Sequence, residues 1–425
     1  AMQVEKIMNN CPITKHRLAD LALYSHGAPN QLIAENRRQH PVSWEEGCAG
    51  QSGHWNVFTS DQMDIVLKNP AIFSNATGPR LVDTPKEAIR GKHVSLNLMD
   101  PPMHRDYRRL VDAAFKPSAI KQLEPRVLAI ANEIIDEIIG QGGCEFVTSV
   151  ATPLPLRVTA SMLGIPDEDQ AYVCTLTNTM MIADDPDFAG SVMDGYEAQR
   201  ALVKYGAGLA ANHRLNPCED LTTEMLEARR EGGEQLTDLE YGLFFLNLII
   251  GGIETTRNAT AYGLYQLIQQ PEQFHMLQND PALIPDAVEE ILRFRAPIMN
   301  YRRTAMEDFE LGGQTIRKGD KVIVWLASAN RDEQVFANPD TFDIKRCQRE
   351  RVQRDARTFG AGPHFCLGAH LARLQIKVIF AVITSRMTNV QLVDEPRNAL
   401  SAFVDGYKEM NITFEPLAES QRTPF

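Results

Sequence analysis

The chain has 425 residues, 44% hydrophobic and 23% charged, with a formal net charge of −12. That is enough apolar material for a large core, and the acidic balance argues against nucleic acid, whose phosphates demand clustered Lys and Arg. Seven scattered cysteines (Cys11, Cys48, Cys144, Cys174, Cys218, Cys347 and Cys366) form no disulfide framework, and no run approaches eighteen consecutive apolar residues, so the expectation is a soluble, cytoplasmic protein without a membrane anchor.

In chain order, the first strong signal is LNLMDPPMHRDYRRLV, 96–111. Pro101-Pro102 sets a helix start, and His104 and Arg108, four apart, share one face. Apolar residues at 123, 127, 130, 134, 135 and 138 then keep a helical period over 123–139, closed by Gly140 and the Gly142-Gly143 pair. Further helices are predicted at 146–164, 167–181 and 194–214. The longest, over 237–269, reaches about 50 Å at about 1.5 Å per residue.

This long helix contains GGIETTR, 251–257. Interior glycine costs about 1 kcal/mol relative to alanine, so Gly251-Gly252 calls for a reason, and a close helix–helix contact is one. A phosphate loop is excluded because the Walker Lys-Ser/Thr is absent. A helix over 284–295 follows, in which Glu290 and Arg293 of EEILRFRAP can pair. Residues 301–330 read as short strands joined by turns at Gly312-Gly313 and Lys318-Gly319-Asp320, and a last helix covers 367–386. No repeat or long linker divides the chain. The expected architecture is one domain, mainly α with small β-sheets, lacking the strand–helix alternation of a doubly wound fold.

The stretch FGAGPHFCLGAHLAR, 359–373, carries the chemistry. A thiolate at Cys366 is a soft ligand for iron, zinc or copper(I), and a helix starting near 367 would stabilise its charge. Gly360, Gly362 and Gly368 let backbone N–H groups close around the sulfur. Two alternatives stay open on the residues alone: an inert buried cysteine, or a zinc site from His364, Cys366 and His370, though no CxxC pair exists to complete a closed structural site.

FGAGPHFCLG matches F-x-x-G-x-x-x-C-x-G, and here the chain resembles the cytochrome P450 family. The resemblance implies that Cys366 is the axial thiolate of heme b (iron protoporphyrin IX), that Phe359 packs beside it, and that Gly362 and Gly368 shape its loop. It puts the heme between the 237–269 helix and the helix after Cys366. GGIETTR resembles the family's oxygen-binding groove: Gly251 and Gly252 would leave room for dioxygen, Thr255 would hold hydrogen bonds to the activated oxygen, and Glu254 would link the site to protons. Glu stands where bacterial members more often carry Asp.

Glu290 and Arg293 match the family's E-x-x-R, a structural pair completed by Arg346 in FDIKR. His104, Arg108, Arg303 and His364 match its heme-propionate contacts. The likeness runs from about residue 40, leaving 1–40 as an N-terminal extension. The family's usual segment between Phe342 and Phe359 is replaced by KRCQRERVQRDART, in which basic residues outnumber acidic ones; a solvated loop and a docking surface for an acidic electron donor are both open.

What the resemblance implies for function is a heme-thiolate monooxygenase that hydroxylates an apolar terpenoid- or steroid-like molecule with O2. No flavin or nicotinamide fingerprint is present, so two electrons would come from a ferredoxin and ferredoxin reductase. Its substrate pocket would draw on 74–97, 170–200, the stretch beside Gly251, 297–300 and the turn near Phe403, with Ile298, Met299, Phe403 and Val404 as apolar contacts and Asn300 as a polar handle. Alternatives are a polyketide or carrier-bound biosynthetic intermediate as substrate, a non-catalytic heme sensor or binding protein, and a zinc hydrolase.

Overall fold

A single helix, Asp238–Gln269, runs through the middle of the molecule. In the computed structural model, which describes residues 17–47, 51–83 and 95–418, this helix starts on a reciprocal cap. The Thr237 hydroxyl accepts from the Glu240 N–H, and the Glu240 carboxylate accepts from the Thr237 N–H. Twenty of its residues are buried, as in a helix enclosed by others, and they include the polar Glu254, Arg257 and Asn258. Val192–Leu215, Pro153–Leu163, Asp167–Met181, Ile284–Phe294 and Ala369–Arg386 pack against it. Each large side chain fully buried there contributes about 1.5–3 kcal/mol.

Most predicted helices are present with ends shifted by one or two residues, and the exceptions have local causes. The segment expected as one helix over 146–164 is broken into a π turn, Val147–Ala151, and a helix, Pro153–Leu163. Pro153 and Pro155 have no N–H to continue the first ladder. The helix after Cys366 begins at Ala369, with Gly368 as its cap. The region 301–330 gives strands Tyr301–Ala305, Phe309–Leu311, Gln314–Ile316 and Lys321–Val324, but Leu326–Ala329 is a buried helical turn.

The sheets are small. Five strands lie in the order Val42–Glu45, His54–Val57, Lys321–Val324, Tyr301–Ala305, Phe73–Ser74, antiparallel except for the parallel pair His54–Val57 and Lys321–Val324. Asn411–Pro416 lies between Gly143–Glu145 and Met387–Leu392 in an antiparallel sheet of three. Residues 1–16 of the expected N-terminal extension lie outside the described residues, as do Cys11, Cys48 and 84–94. From residue 17 on, that segment packs into the body: Leu18, Tyr24 and Ile33 are buried with Phe58 and Trp325. Among the described residues no helix is long and apolar enough to cross a membrane.

Candidate active site

The cysteine loop is held from both ends. Upstream, the Arg357 guanidinium grips Asp64 (2.6 and 2.8 Å), and the Thr358 hydroxyl donates to the Leu292 carbonyl. The loop closes on itself where the Cys366 N–H donates to the Phe359 carbonyl at 2.9 Å. Gly362 has φ +72°, and a Cβ on it would lie 2.3 Å from the Leu67 carbonyl, so glycine is required twice over. Gly368 is different: its φ is −82° and a Cβ there meets nothing within 4 Å, so the chain itself makes no demand for glycine. Burial pushes the Cys366 thiol pKa up, while the Gly368 N–H and then Arg108 and Arg373 favour the thiolate. A site that desolvates sulfur yet aims an N–H at it suits a sulfur bonded to a cation.

Cys366 opens onto a cavity of ≈ 960 Å³, counting the part open to solvent. Phe359, His364 and Arg303 line it near the sulfur, and Gly251 and Thr255 line it from the central helix. Residues 251 and 255 are four apart and share a helix face. The Thr255 hydroxyl donates to the Gly251 carbonyl at 2.8 Å, and a Cβ on Gly251 would meet nothing within 4 Å. Two residues expected at this groove face elsewhere. A Cβ on Gly252 would fall 2.8 Å from the Thr159 hydroxyl, so Gly252 lets helix Pro153–Leu163 approach rather than making room in the cavity. Glu254 is fully buried away from the cavity lining and is ion-paired to Arg257, with the Asn258 amide donating to the same oxygen at 3.1 Å. Its other oxygen has no partner.

Of the four expected propionate contacts, Arg303 and His364 line the cavity, while His104 touches His364 and Arg108 the cysteine loop. The His104 and His364 rings lie 3.9 Å apart. Burial lowers their pKa to about 4 and about 2, so both are neutral at pH 7. The buried His364 Nε2 has no partner. Arg303 is buried, its pKa lowered to about 10 by desolvation, and among the described residues no carboxylate lies within ion-pairing distance of it. Arg108 reaches the loop directly, donating to the Pro363 and Phe365 carbonyls at 3.2 and 2.6 Å. A buried guanidinium without a carboxylate, an orphaned imidazole nitrogen and a soft sulfur around one large cavity fit an iron porphyrin with acidic side chains. The zinc alternative does not fit. The sole His/Cys/Asp/Glu cluster of metal-binding geometry among the described residues is His213, Cys218 and Asp220, not His364, Cys366 and His370. There, Asp220 caps helix Leu221–Glu227 and bonds the His213 Nε2 at 2.8 Å.

Glu290 and Arg293 are fully buried and bonded twice, at 2.7 and 2.8 Å, and Arg346 adds two contacts of 3.1 Å. The basic segment is less cationic than its sequence. Arg346 also pairs with Glu350, Arg349 with Asp343, Arg354 with Asp355 and Arg357 with Asp64, leaving Lys345 and Arg351 without an ion pair among the described residues.

Of the expected substrate contacts, Ile298 lines the cavity. Met299, next along an extended chain, points the opposite way into the cluster of Phe58 and Trp325. Asn300 is buried and donates its amide to the Ala402 carbonyl at 2.7 Å. Val404 bridges Ile298, and Phe403 sits edge-on to Tyr301 at 5.8 Å, one layer behind the wall. Asn75, Pro79 and Asn97 line the cavity from the expected 74–97 loop, while none of its described lining comes from 170–200. Sequence reasoning missed Tyr301 and Thr256 as lining residues and Arg257 as the partner of Glu254. Only the last left a signal, since ETTR is itself a Glu and an Arg three apart.

Residues 209–397 match the family described as Cytochrome P450. The chain is 34% identical to a steroid C26-monooxygenase of Rhodococcus jostii, over 93% of this chain and 84% of that one. It is 33% identical to a linalool 8-monooxygenase of Pseudomonas putida, over 93% and 97%. Its structure matches that of a Mycobacterium marinum cytochrome P450 in complex with pseudoionone, with TM-score 0.88 and 33% identity over 95% of this chain and 99% of that one.

Proposed function

The chain belongs to the cytochrome P450 family and is a heme b monooxygenase, and from that premise we propose that it hydroxylates an apolar terpenoid- or steroid-like molecule with electrons from a ferredoxin. The observation that carries the substrate class is the cavity wall. Its apolar part, with Leu67, Ala259, Leu292, Pro297 and Ile298, is hydrocarbon that favours an apolar guest, while Asn75, Asn97, Arg303 and His364 supply its polar part. Relatives named for a steroid and for linalool support the same class.

Bound through Cys366, heme would supply reductive activation of O2 and transfer of one oxygen atom to a C–H bond. The chain's own residues bind, orient and move protons. Cys366 offers the thiolate, and the Gly368 N–H moderates its basicity. Arg303 and His364 would take the propionates, with the His104 ring against His364 and Arg108 holding the loop carbonyls. Thr255 keeps a hydroxyl at the cavity that can turn from the Gly251 carbonyl to donate inward. Glu254, one residue away and behind the groove, resupplies that proton when its side chain leaves Arg257. For the donor, Phe365 beside Cys366 is 40% exposed, and Lys345 and Arg351, without an ion pair among the described residues, suit an acidic partner. Function in the cytoplasm accords with this reading.

The test is a titration of purified heme protein with terpenoids and steroids, read by the low-to-high-spin shift. Reconstitution with an iron–sulfur ferredoxin and its reductase under isotopically labelled O2 follows. The expected product gains one labelled oxygen. A panel that leaves the heme band unmoved, or product oxygen drawn from water, ends the proposal. Cys366→Ala should abolish the far-red-displaced Soret band of the ferrous carbonyl form.

A further inference from the structure

Six buried arginines, Arg37, Arg257, Arg293, Arg302, Arg331 and Arg346, each have a carboxylate within 4 Å. Among the described residues, buried Arg303, which faces the expected propionates, and part-buried Arg80 have none in that range. A desolvated guanidinium without an anion is costly, so the second of these cations also needs one.

Arg80 follows Pro79, which lines the cavity and is pinned where the Arg302 N–H donates to its carbonyl at 2.9 Å. The side chain runs to the end of helix Asp167–Met181, donating to the Met180 carbonyl at 3.2 Å and lying 3.8 Å from the Met181 sulfur. Its guanidinium carbon stands 5.2 Å from the centre of the Phe403 ring, which backs the cavity wall at Tyr301. Met181, Ile182, Ile298, Phe403 and Val404 belong to one buried cluster around it. Burial lowers the Arg80 pKa, and Asp184 and Tyr196 oppose this at longer range than an ion pair. The carboxyl of Asp184 is itself pushed up by burial. Arg80 keeps accessible surface, next to the cavity-lining Pro79.

We propose that Arg80 anchors the carboxylate of a lipid-like acid, so that the substrate's charged end sits between the Met180 carbonyl and Phe403 while its hydrocarbon extends along the Ile298 wall toward Cys366. The proposal rests on the apolar-substrate reading and narrows it to amphipathic monoacids. A planar carboxylate takes two N–H groups of one guanidinium, and the nearby Asp184 disfavours a more highly charged headgroup. Anchoring the head also explains how a largely apolar wall could select one carbon for oxidation.

The test uses the purified heme protein at neutral pH, with palmitic acid and lithocholic acid each compared with its methyl ester by the spin-state shift. At least one acid should bind about tenfold more tightly than its ester, the scale of a charge-assisted bond. Arg80→Gln should bring that ratio to about one, with Arg80→Lys in between, each variant keeping the sulfur-ligated carbonyl band as a check of its fold. Equal affinities of acid and ester in the wild type, an unmoved ratio in Arg80→Gln, or no response to either acid overturns the proposal. In the last two cases the terpenoid and steroid panel still decides the broader reading by itself.

Discussion

Glu254-Thr255-Thr256-Arg257 and Glu290-Ile291-Leu292-Arg293 are the same short motif, a glutamate and an arginine three apart on a helix, and both pairs are buried. Around Glu290 every polar atom is answered. Its two oxygens take Arg293, Arg346 and the Asp343 N–H, and Arg293 goes on to the carbonyls of Asn330 and Pro339. Around Glu254 the count falls short. Arg257 and Asn258 share one oxygen, the other has no partner, and Arg257 leans on Asn178 of a neighbouring helix. A saturated ion pair is a scaffold, because any movement leaves a buried charge unanswered. An unsaturated one, one residue from a hydroxyl at the reaction cavity, is free to change partners.

The sharpest way to break this comparison is Glu290→Gln. It leaves Arg293 without a carboxylate and should cost about 3–5 kcal/mol, read by denaturant unfolding and by heme loss on purification. A stable, heme-replete variant would falsify the scaffold role. Glu254→Gln should cost less stability, since Arg257 retains Asn178, but turnover should drop about a hundredfold or more with an enlarged solvent isotope effect and an unchanged substrate-induced spin shift. If instead stability collapses and residual turnover per folded heme is normal, the two pairs are alike.

Thr255→Val sharpens the functional side. Unfolding should move by less than about 1 kcal/mol, while product per electron pair falls about tenfold and peroxide appears in its place. The smallest effects separate the adjacent glycines. Gly252→Ala meets Thr159 and should cost about 1–3 kcal/mol. Gly251→Ala meets nothing in the chain and should gain up to about 1 kcal/mol of helix propensity, while slowing carbon monoxide binding to the ferrous heme.

Much of the site is legible before folding because its parts are local. The turn glycines ahead of Cys366, the helix after it, and the four-residue spacing of Gly251 and Thr255 or of His104 and Arg108 all work within a few residues of chain. Where reading failed, the missing information was a neighbour. The segment 345–357 looks like a strongly basic surface until Asp64, Asp343, Glu350 and Asp355 are seen to pair with four of its arginines, leaving only Lys345 and Arg351 without an ion pair among the described residues. Met299 looks as available to a substrate as Ile298 until packing turns it into the core with Phe58 and Trp325.

The order of helices, the cysteine in its tight loop, and the family's chemistry are set by residue types at fixed spacing, which the backbone geometry of a helix or turn converts directly into position. Which Glu–Arg pair braces the fold, which glycine faces the cavity, and which arginine lacks an anion were decided only by packing. Helical spacing fixes angles between residues of one helix, whereas the direction that helix faces depends on Pro153–Leu163 and Asp167–Met181 lying against it.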